Sequence, residues 1–267
     1  MTIRKRSTSS SLSSLSPPPS TSKKVKVDIG KSKSRTRTKN EPTDDFQQIT
    51  LPLFVNKWRR ENMGFGGDVY YQPNFIDPKE AKQWYDDLLD LNTYQPMLKM
   101  YGREFAQSRQ IAAYSTCPNA TLSYSGTTIT MNYPFPPVLD KIRKQLETEL
   151  GVKFNHCMLN RYDDGSVYIG KHSDNLNNLV IASVSLGAKR KFIMSPRLPG
   201  KSGKNAGREI TKEMEKDLKG RKNVSWSLDN GSLVVMQGRT QEFWKHEIPK
   251  EPSVKEGRIS LTFRQLV

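Results

Sequence analysis

Eight short segments between residues 154 and 263 have the composition of β-strands, and this pattern constrains the fold most strongly. Turn signals separate them at Asp164-Gly165, at Gly187 and at Asn230-Gly231, of which the last favours a tight hairpin. The expected strands are Phe154–Tyr162, Val167–Lys171, Val180–Leu186, Lys191–Met194, Val224–Leu228, Ser232–Met236, Glu242–Ile248 and Arg258–Phe263. So many short strands in succession predict a two-sheet jelly roll.

Two helices are expected before these strands. Asp77 can cap a helix that has Pro78 at its first position, directly after a strand running from Val69 to about Ile76. A second amphipathic helix is expected over Pro136–Leu150, and a basic helical insert over Arg208–Lys219 interrupts the later strands. We therefore predict a mainly β (α+β) fold in which helices support one side of the jelly roll.

The first 45 residues differ in composition from the rest of the 267-residue chain. They hold 11 basic and 4 acidic residues, with serine runs and three consecutive prolines, and we expect this tail to be disordered. Its three basic clusters favour nuclear import and nucleic-acid contact over a merely solubilising role. The net charge of +16 for the whole chain also favours a polyanionic partner. We expect a nuclear protein.

Several function classes are excluded by simpler features. No apolar run reaches the ~20 residues that a membrane helix needs, and no secretory signal is evident. Cys117 and Cys157, far apart in sequence, suit a reducing compartment. Residues 47–54 could form a docking motif for a sliding clamp through Gln48, Leu51 and Phe54, but Val55 stands where the second aromatic residue belongs. We favour the simpler interpretation, in which this segment leads into a domain over residues 46–267.

His172 and Asp174 form a His-x-Asp pair directly after an expected strand. Residues two apart in an extended segment point to the same side, so an imidazole and a carboxylate placed in this way can share one ion. His246, on a later strand, would complete a two-histidine, one-carboxylate triad with three open positions. The alternative makes His172 a surface residue that is hydrogen-bonded to Asp174.

The expected last strand carries two arginines on one face. Arg258, Ser260, Thr262 and Arg264 alternate with apolar residues. If this face is buried, the arginines need anionic partners, and a dicarboxylate co-substrate could supply one. The alternative is a basic edge strand that faces solvent.

These motifs occur in an order that resembles the AlkB-type Fe(II)/2-oxoglutarate dioxygenases over roughly residues 95–267, most closely the eukaryotic nuclear DNA-repair members. The motifs are Asn160-Arg161-Tyr162, Asp164-Gly165, Ile169-Gly170, His172-Ser173-Asp174, Ile181 to Gly187, Gly231-Ser232-Leu233, Trp244-x-His246 and Arg258-x-x-x-Thr262-x-Arg264. The resemblance implies a double-stranded β-helix core over residues 152–267 and a nucleotide-recognition lid over about 95–135.

The resemblance also implies the chemistry. Iron(II) would be held by the three predicted ligands, and Asn160 and Tyr162 would hydrogen-bond 2-oxoglutarate. Arg264 would bind the distal carboxylate of 2-oxoglutarate, and Arg258 would contact the C1 carboxylate near the metal. With O2, the co-substrate would be converted to succinate and CO2, and an N-methylated base would be restored with release of formaldehyde. We expect a monomer that acts on alkylated DNA in the nucleus.

The lid is expected to recognise the substrate base. Tyr101 lies where DNA-repair relatives insert an aromatic finger into the duplex. Tyr124 and Ser125 could form a platform for a flipped base, and Arg109 also matches the residue of those relatives at its position. Asn175, followed by Leu176, replaces the usual acidic residues, although it could still hydrogen-bond the base. This replacement leaves open an RNA or protein (histone) demethylase or hydroxylase. A catalytically silent nucleic-acid-binding module is a further alternative.

Overall fold

The computed structural model describes residues 58–64, 66–100, 103–124, 127–174, 178–198 and 211–266. The expected disordered tail and the segment 47–54 lie outside the described residues. None of the helices in these ranges has the length and apolar character that crossing a membrane requires.

Seven antiparallel strands form the larger sheet, in the order β1-β2-β13-β10-β15-β8-β5. Long antiparallel registers join its central strands, where β10 pairs with β13 on one side and with β15 on the other. The strands are β1 (Arg59–Glu61), β2 (Asp68–Gln72), β5 (Gln110–Ser115), β8 (His156–Tyr162), β10 (Asn178–Gly187), β13 (Ser232–Gln237) and β15 (Arg258–Leu266).

Four antiparallel strands form the smaller sheet, in the order β12-β11-β14-β9. They are β9 (Ile169–His172), β11 (Arg190–Pro196), β12 (Val224–Leu228) and β14 (Trp244–Ile248). One apolar core contains Ile181 and Met236 of the larger sheet together with Phe192 and Trp226 of the smaller one. The two sheets therefore pack on each other, which confirms the jelly-roll prediction.

Helices α1 (Pro78–Leu89) and α2 (Pro137–Leu150) cover the outer face of the larger sheet. Asp77 caps α1 by accepting hydrogen bonds from the first-turn amides, as its sequence predicts. Trp84 of α1 and Ile142 of α2 lie in one core with Val184 and Leu261 of the sheet. Because alternate strand residues point to opposite faces, the residues between these apolar ones face the other sheet.

Two hairpins and two further helices complete the described chain. The hairpins are β3–β4 and β6–β7, and the helices are α3 and α4. Their ranges are β3 (Met97–Met100), β4 (Arg103–Ala106), β6 (Thr121–Tyr124), β7 (Thr127–Thr130), α3 (Lys212–Gly220) and α4 (Thr240–Phe243). Both hairpins fall within the expected lid range, whereas Gln110–Ser115 in the same range is β5 of the larger sheet.

Several expected boundaries were wrong, and three of them have a local physical cause. The first expected strand ends at Gln72, because Pro73 has no N–H to continue the ladder. The strand expected over Glu242–Ile248 begins only at Trp244, because a helical turn occupies Thr240–Phe243. The insert helix begins at Lys212, where the side chain of Thr211 caps it.

Candidate active site

A cavity of about 500 Å³ lies between the two sheets. Residues from β8 and β15 line it on one side, and residues from β9 and β14 line it on the other. The site residues predicted from sequence that line it are Arg109, Asn160, Tyr162, His172, Asp174, His246, Arg258 and Arg264. The fold therefore gathers into one cavity residues that span more than 150 positions of the chain.

The wall formed by the larger sheet is polar because of a two-residue alternation in β10. Ala182 and Val184 point into the core beneath the helices, so Ser183 and Ser185 point the other way. The hydroxyl of Ser183 lies 3.2 Å from that of Ser260 on β15, and Thr262 lies on the same face of that strand. Sequence reasoning did not assign the serines of β10, although their alternation with apolar residues was a visible signal.

His172, Asp174 and His246 form a cluster. Each offers one potential metal-binding atom, and these three atoms lie within 4.8 Å of one another. The two imidazoles are directly opposite each other because His172 of β9 and His246 of β14 are register partners in the smaller sheet. Their ring centroids are 4.2 Å apart. Antiparallel pairing of two distant segments therefore creates a site with three potential ligands.

The surroundings fix the orientation of both rings. Nδ1 of His172 lies 2.9 Å from the carbonyl oxygen of Gly170. Since a carbonyl can only accept, Nδ1 must carry the proton, and Nε2 is left with a free lone pair. The ring of His246 stacks on Phe192 with centroids 5.5 Å apart, and its buried Nδ1 has no hydrogen-bond partner in the described ranges.

The protonation states suit cation binding. Burial, together with the nearby His172, lowers the pKa of His246 to about 3, and burial also lowers the pKa of His172. Burial by itself would raise the pKa of Asp174, but Arg264 and the two imidazoles lower it below its ordinary value. The cluster therefore presents two neutral imidazoles and one carboxylate at neutral pH, which is a donor set suited to Fe(II).

Asp174 is held by two other side chains. Nη2 of Arg264 donates to one of its carboxylate oxygens at 3.0 Å, and the backbone N–H of Asp174 donates to Oε1 of Gln241 at 2.8 Å. The neighbouring Ser173 donates its hydroxyl proton to the carbonyl of Trp244 at 2.8 Å. Three contacts therefore fix the segment that carries the carboxylate.

The two arginines of β15 have different partners in the cavity. Arg264, expected at the distal end of the co-substrate, lies beside the His–Asp–His cluster through its ion pair with Asp174. Arg258, expected near the metal, lies six residues away along β15, where its Nη2 donates to Ser185 at 2.9 Å. The sequence could not reveal this order, because the position of Asp174 relative to β15 depends on the packing of the two sheets.

Arg258 is a buried cation that is only partly satisfied. Its side chain is 2% exposed, and within the described part of the chain no group lies at hydrogen-bond geometry to its Nε or Nη1. Its guanidinium lies 5.1 Å from the ring centroid of Tyr162, and no carboxylate forms a salt bridge with it among the described residues. Burial lowers its pKa. Two bare donors on a buried guanidinium indicate a binding position for an anion.

Asn160 and Arg109 form a buried pair beside this position. Nε of Arg109 donates to Oδ1 of Asn160 at 2.7 Å. With its oxygen engaged in this way, Asn160 directs its NH2 group elsewhere in the cavity. Arg109, expected to contact the substrate, therefore orients a residue of the cavity wall.

The predicted base-contacting residues lie largely outside the described part of the chain. Tyr101, Ser125 and Asn175 are not described, and for Tyr124 the structure gives only its backbone position at the end of β6. The hairpins that flank them do reach the cavity, because Leu98 of β3 and Leu122 of β6 line it. Their side chains form part of its apolar surface.

The family model described as the 2OG-Fe(II) oxygenase superfamily matches residues 68–264. The chain is 33% identical over 217 residues to the DNA oxidative demethylase ALKBH2 of Arabidopsis thaliana, covering 76% of this chain and 68% of that protein. It is 34% identical over 202 residues to the alpha-ketoglutarate-dependent dioxygenase alkB homolog 3 of Rattus norvegicus, covering 73% and 63%. The chain thus spans about two thirds of the length of these relatives.

A solved structure of an oxidoreductase of the 2OG-Fe(II) oxygenase family from Burkholderia pseudomallei is 16% identical, with a TM-score of 0.45 over 73% of this chain and 84% of that chain. That similarity is too low to support an argument by itself. The match to the family model spans the strands that carry the cluster and both arginines, and the two relatives each match about three quarters of this chain. The chain therefore belongs to the 2OG-Fe(II) oxygenase superfamily and, within it, to the AlkB-type oxygenases.

Proposed function

We propose that this protein removes alkyl groups from nucleic-acid bases, in DNA and in the nucleus, by an Fe(II)- and 2-oxoglutarate-dependent oxidation. The observation that carries the proposal is a single cavity with two features. It has a His–Asp–His cluster at one position and a buried, partly unsatisfied arginine at another. A metal and a dicarboxylate need these two features together.

His172, Asp174 and His246 would hold the iron. Because the protein supplies three ligands, an octahedral ion would keep three positions for co-substrate and dioxygen. When bound, Fe(II) would use dioxygen and 2-oxoglutarate to oxidise the carbon of an N-alkyl group. The role of the cluster residues is to hold that ion between two neutral imidazoles and a carboxylate whose charge Arg264 partly balances.

Arg258 would bind the carboxylate of 2-oxoglutarate that lies farther from the metal. Its Nε and Nη1 are the bare donors, and Ser185 fixes its Nη2. Tyr162, packed against the same guanidinium, and Asn160 would add hydrogen bonds. Arg264 lies beside Asp174 and would meet the carboxylate nearer the metal. This assignment exchanges the roles that the sequence resemblance implied for the two arginines.

The names of the two relatives support an alkylated nucleic acid as the substrate, since one is called a DNA oxidative demethylase and the other an alkB homolog. The net charge of +16 favours a polyanion. Hydroxylation of the N-methyl carbon of a cationic base such as 1-methyladenine or 3-methylcytosine gives a hydroxymethyl adduct. Its N–C bond then breaks, formaldehyde and a proton leave, and the electron pair of that bond stays on the nitrogen of the restored base. The three basic clusters of the tail support a nuclear location.

The experiment is turnover of purified full-length protein with Fe(II), 2-oxoglutarate and oligonucleotides that carry 1-methyladenine, 3-methylcytosine or ethenoadenine. We expect release of an aldehyde, which is formaldehyde for the methylated bases, together with the repaired base by mass spectrometry. Both products should disappear in a His172→Ala variant. Decarboxylation of 2-oxoglutarate by the protein without any nucleic-acid substrate would exclude the alternative of a catalytically silent nucleic-acid-binding module.

The same assay includes single-stranded RNA and a methylated histone peptide. Turnover of either one, with none on DNA, would reject DNA as the substrate while retaining the oxygenase chemistry. A reporter fused to residues 1–45 that stays in the cytoplasm would reject the nuclear location.

A further inference from the structure

The backbone amide of Asp174 lies just beyond the end of β9. This strand ends at His172, and its register with β14 runs from Ile169 to His172 with an irregularity between its paired positions. The ladder of the smaller sheet therefore does not extend to Asp174. Oε1 of Gln241 accepts the hydrogen bond from its N–H at 2.8 Å. A side chain thus takes the place of a neighbouring strand.

Gln241 is itself well fixed. It is 5% exposed, and its Nε2 lies 3.5 Å from Sδ of Met236, a residue that lines the cavity. Since the Asp174 amide can only donate, the oxygen of the Gln241 side chain must face it, and the NH2 group must face the sulfur. The backbone carbonyl of Gln241 accepts a hydrogen bond from Arg197 at 3.1 Å.

The position of Gln241 in the chain adds a second link. It belongs to α4, which runs directly into β14, and His246 follows five residues later. One short stretch of chain therefore carries one ligand of the cluster and holds the segment that carries another. Any shift of this stretch would move His246 and Asp174 together.

We propose that Gln241 is a positioning residue that holds the Asp174 carboxylate in register with the two imidazoles for metal binding. The inference rests on the metal site of the proposed function. Arg264 binds the carboxylate itself, so without the bond from Gln241 the ion pair would draw Asp174 toward β15. Outer partners of metal ligands typically contribute about 10- to 100-fold to metal affinity.

The test uses three single variants of the full chain. Gln241→Leu and Gln241→Met remove the acceptor, Met with a side chain of matching length, and Gln241→Glu keeps an acceptor oxygen. Gln237→Leu is the matched control, because Gln237 is also 5% exposed but donates to Asp68 at 2.8 Å, outside the cavity. Co(II) affinity is measured by calorimetry without 2-oxoglutarate, and the visible spectrum of bound Co(II) reports the ligand geometry.

We expect Co(II) to bind Gln241→Leu and Gln241→Met about 10- to 100-fold more weakly than wild type, with an altered spectrum. The Co(II) affinity of Gln241→Glu should lie within about threefold of the wild-type affinity or be higher. The Co(II) affinity of Gln237→Leu should equal that of wild type. Apo thermal denaturation identifies which variants fold, and either apolar variant that folds decides the question.

Unchanged Co(II) affinity and spectrum in an apolar variant would overturn the positioning role. A loss in Gln241→Glu as large as in Gln241→Leu would overturn it too, because the acceptor oxygen would then not matter. If wild type itself binds no Co(II), the metal site of the proposed function is wrong, which is a separate failure from that of Gln241.

Discussion

Replacing Arg258 by methionine should change stability and co-substrate affinity in opposite directions. The guanidinium of Arg258 is 2% exposed, donates a hydrogen bond to Ser185, and has two nitrogens without a hydrogen-bond partner among the residues that the structure describes. Methionine fills a similar volume without a charge that must be desolvated. The substitution should therefore stabilise the apo protein while removing the binding position for an anion.

The magnitudes follow from the contacts. Loss of the Ser185 bond costs about 1 kcal/mol. Exchanging even a buried ion pair for apolar groups of similar volume often gains about 1–4 kcal/mol, and we take the same range for this guanidinium, which has no salt bridge among the described residues. The expected net change in the free energy of unfolding is therefore an increase of up to about 3 kcal/mol. Two charge-assisted hydrogen bonds to a carboxylate contribute at least about 3 kcal/mol, so 2-oxoglutarate affinity should fall about 100-fold or more.

Arg190 provides the matched control. It is 1% exposed and also packs against Tyr162, but its partners are the Glu251 carboxylate and the carbonyls of Val167 and Pro249. Arg190→Met should therefore destabilise the protein by about 3–5 kcal/mol.

Both variants are measured by urea unfolding of the apo protein, followed by calorimetry of 2-oxoglutarate with Mn(II) present. If Arg258→Met unfolds as easily as Arg190→Met, or binds 2-oxoglutarate as wild type does, the reasoning about an anion position is refuted.

Two further predictions concern stability. Burial and the charge of Arg264 lower the pKa of His156 to about 3, and Asp174 has a smaller opposite effect. As the pH falls through about 6.5, His156 therefore becomes protonated in the unfolded chain but stays neutral in the folded protein. Because of His156, the free energy of unfolding of the metal-free protein should fall by about 2 kcal/mol between pH 7 and pH 5. Urea unfolding of a His156→Phe variant measures this, and a pH dependence as large as that of wild type would contradict it. A methyl group at Gly165 would overlap a backbone carbonyl of the facing loop, whereas one at Gly170 meets open space. Gly165→Ala should cost about 1–3 kcal/mol and Gly170→Ala less than about 0.5 kcal/mol; equal melting temperatures would contradict the difference.

Local sequence determined the elements where a single mechanism acted without competition. Asp77 followed by Pro78 specified the start of α1, and the alternation of apolar residues in β15 placed both arginines on one face. The prediction from local sequence was wrong where one segment suited both a strand and a helical turn. The apolar residues before His246 suggested one long strand, but the chain forms a helical turn at Thr240–Phe243 first.

The sequence by itself determined which chemistry was available, because the His-x-Asp pair, the later histidine and the two arginines are fixed by residue type and spacing. Only the tertiary structure decided how they work together. Register between β9 and β14 placed the imidazoles opposite each other, and packing of the two sheets joined Arg264, rather than Arg258, to Asp174. These contacts join residues as many as 90 positions apart. Spacing along a strand sets which face a side chain takes, but the partner across a cavity depends on how the whole sheet packs.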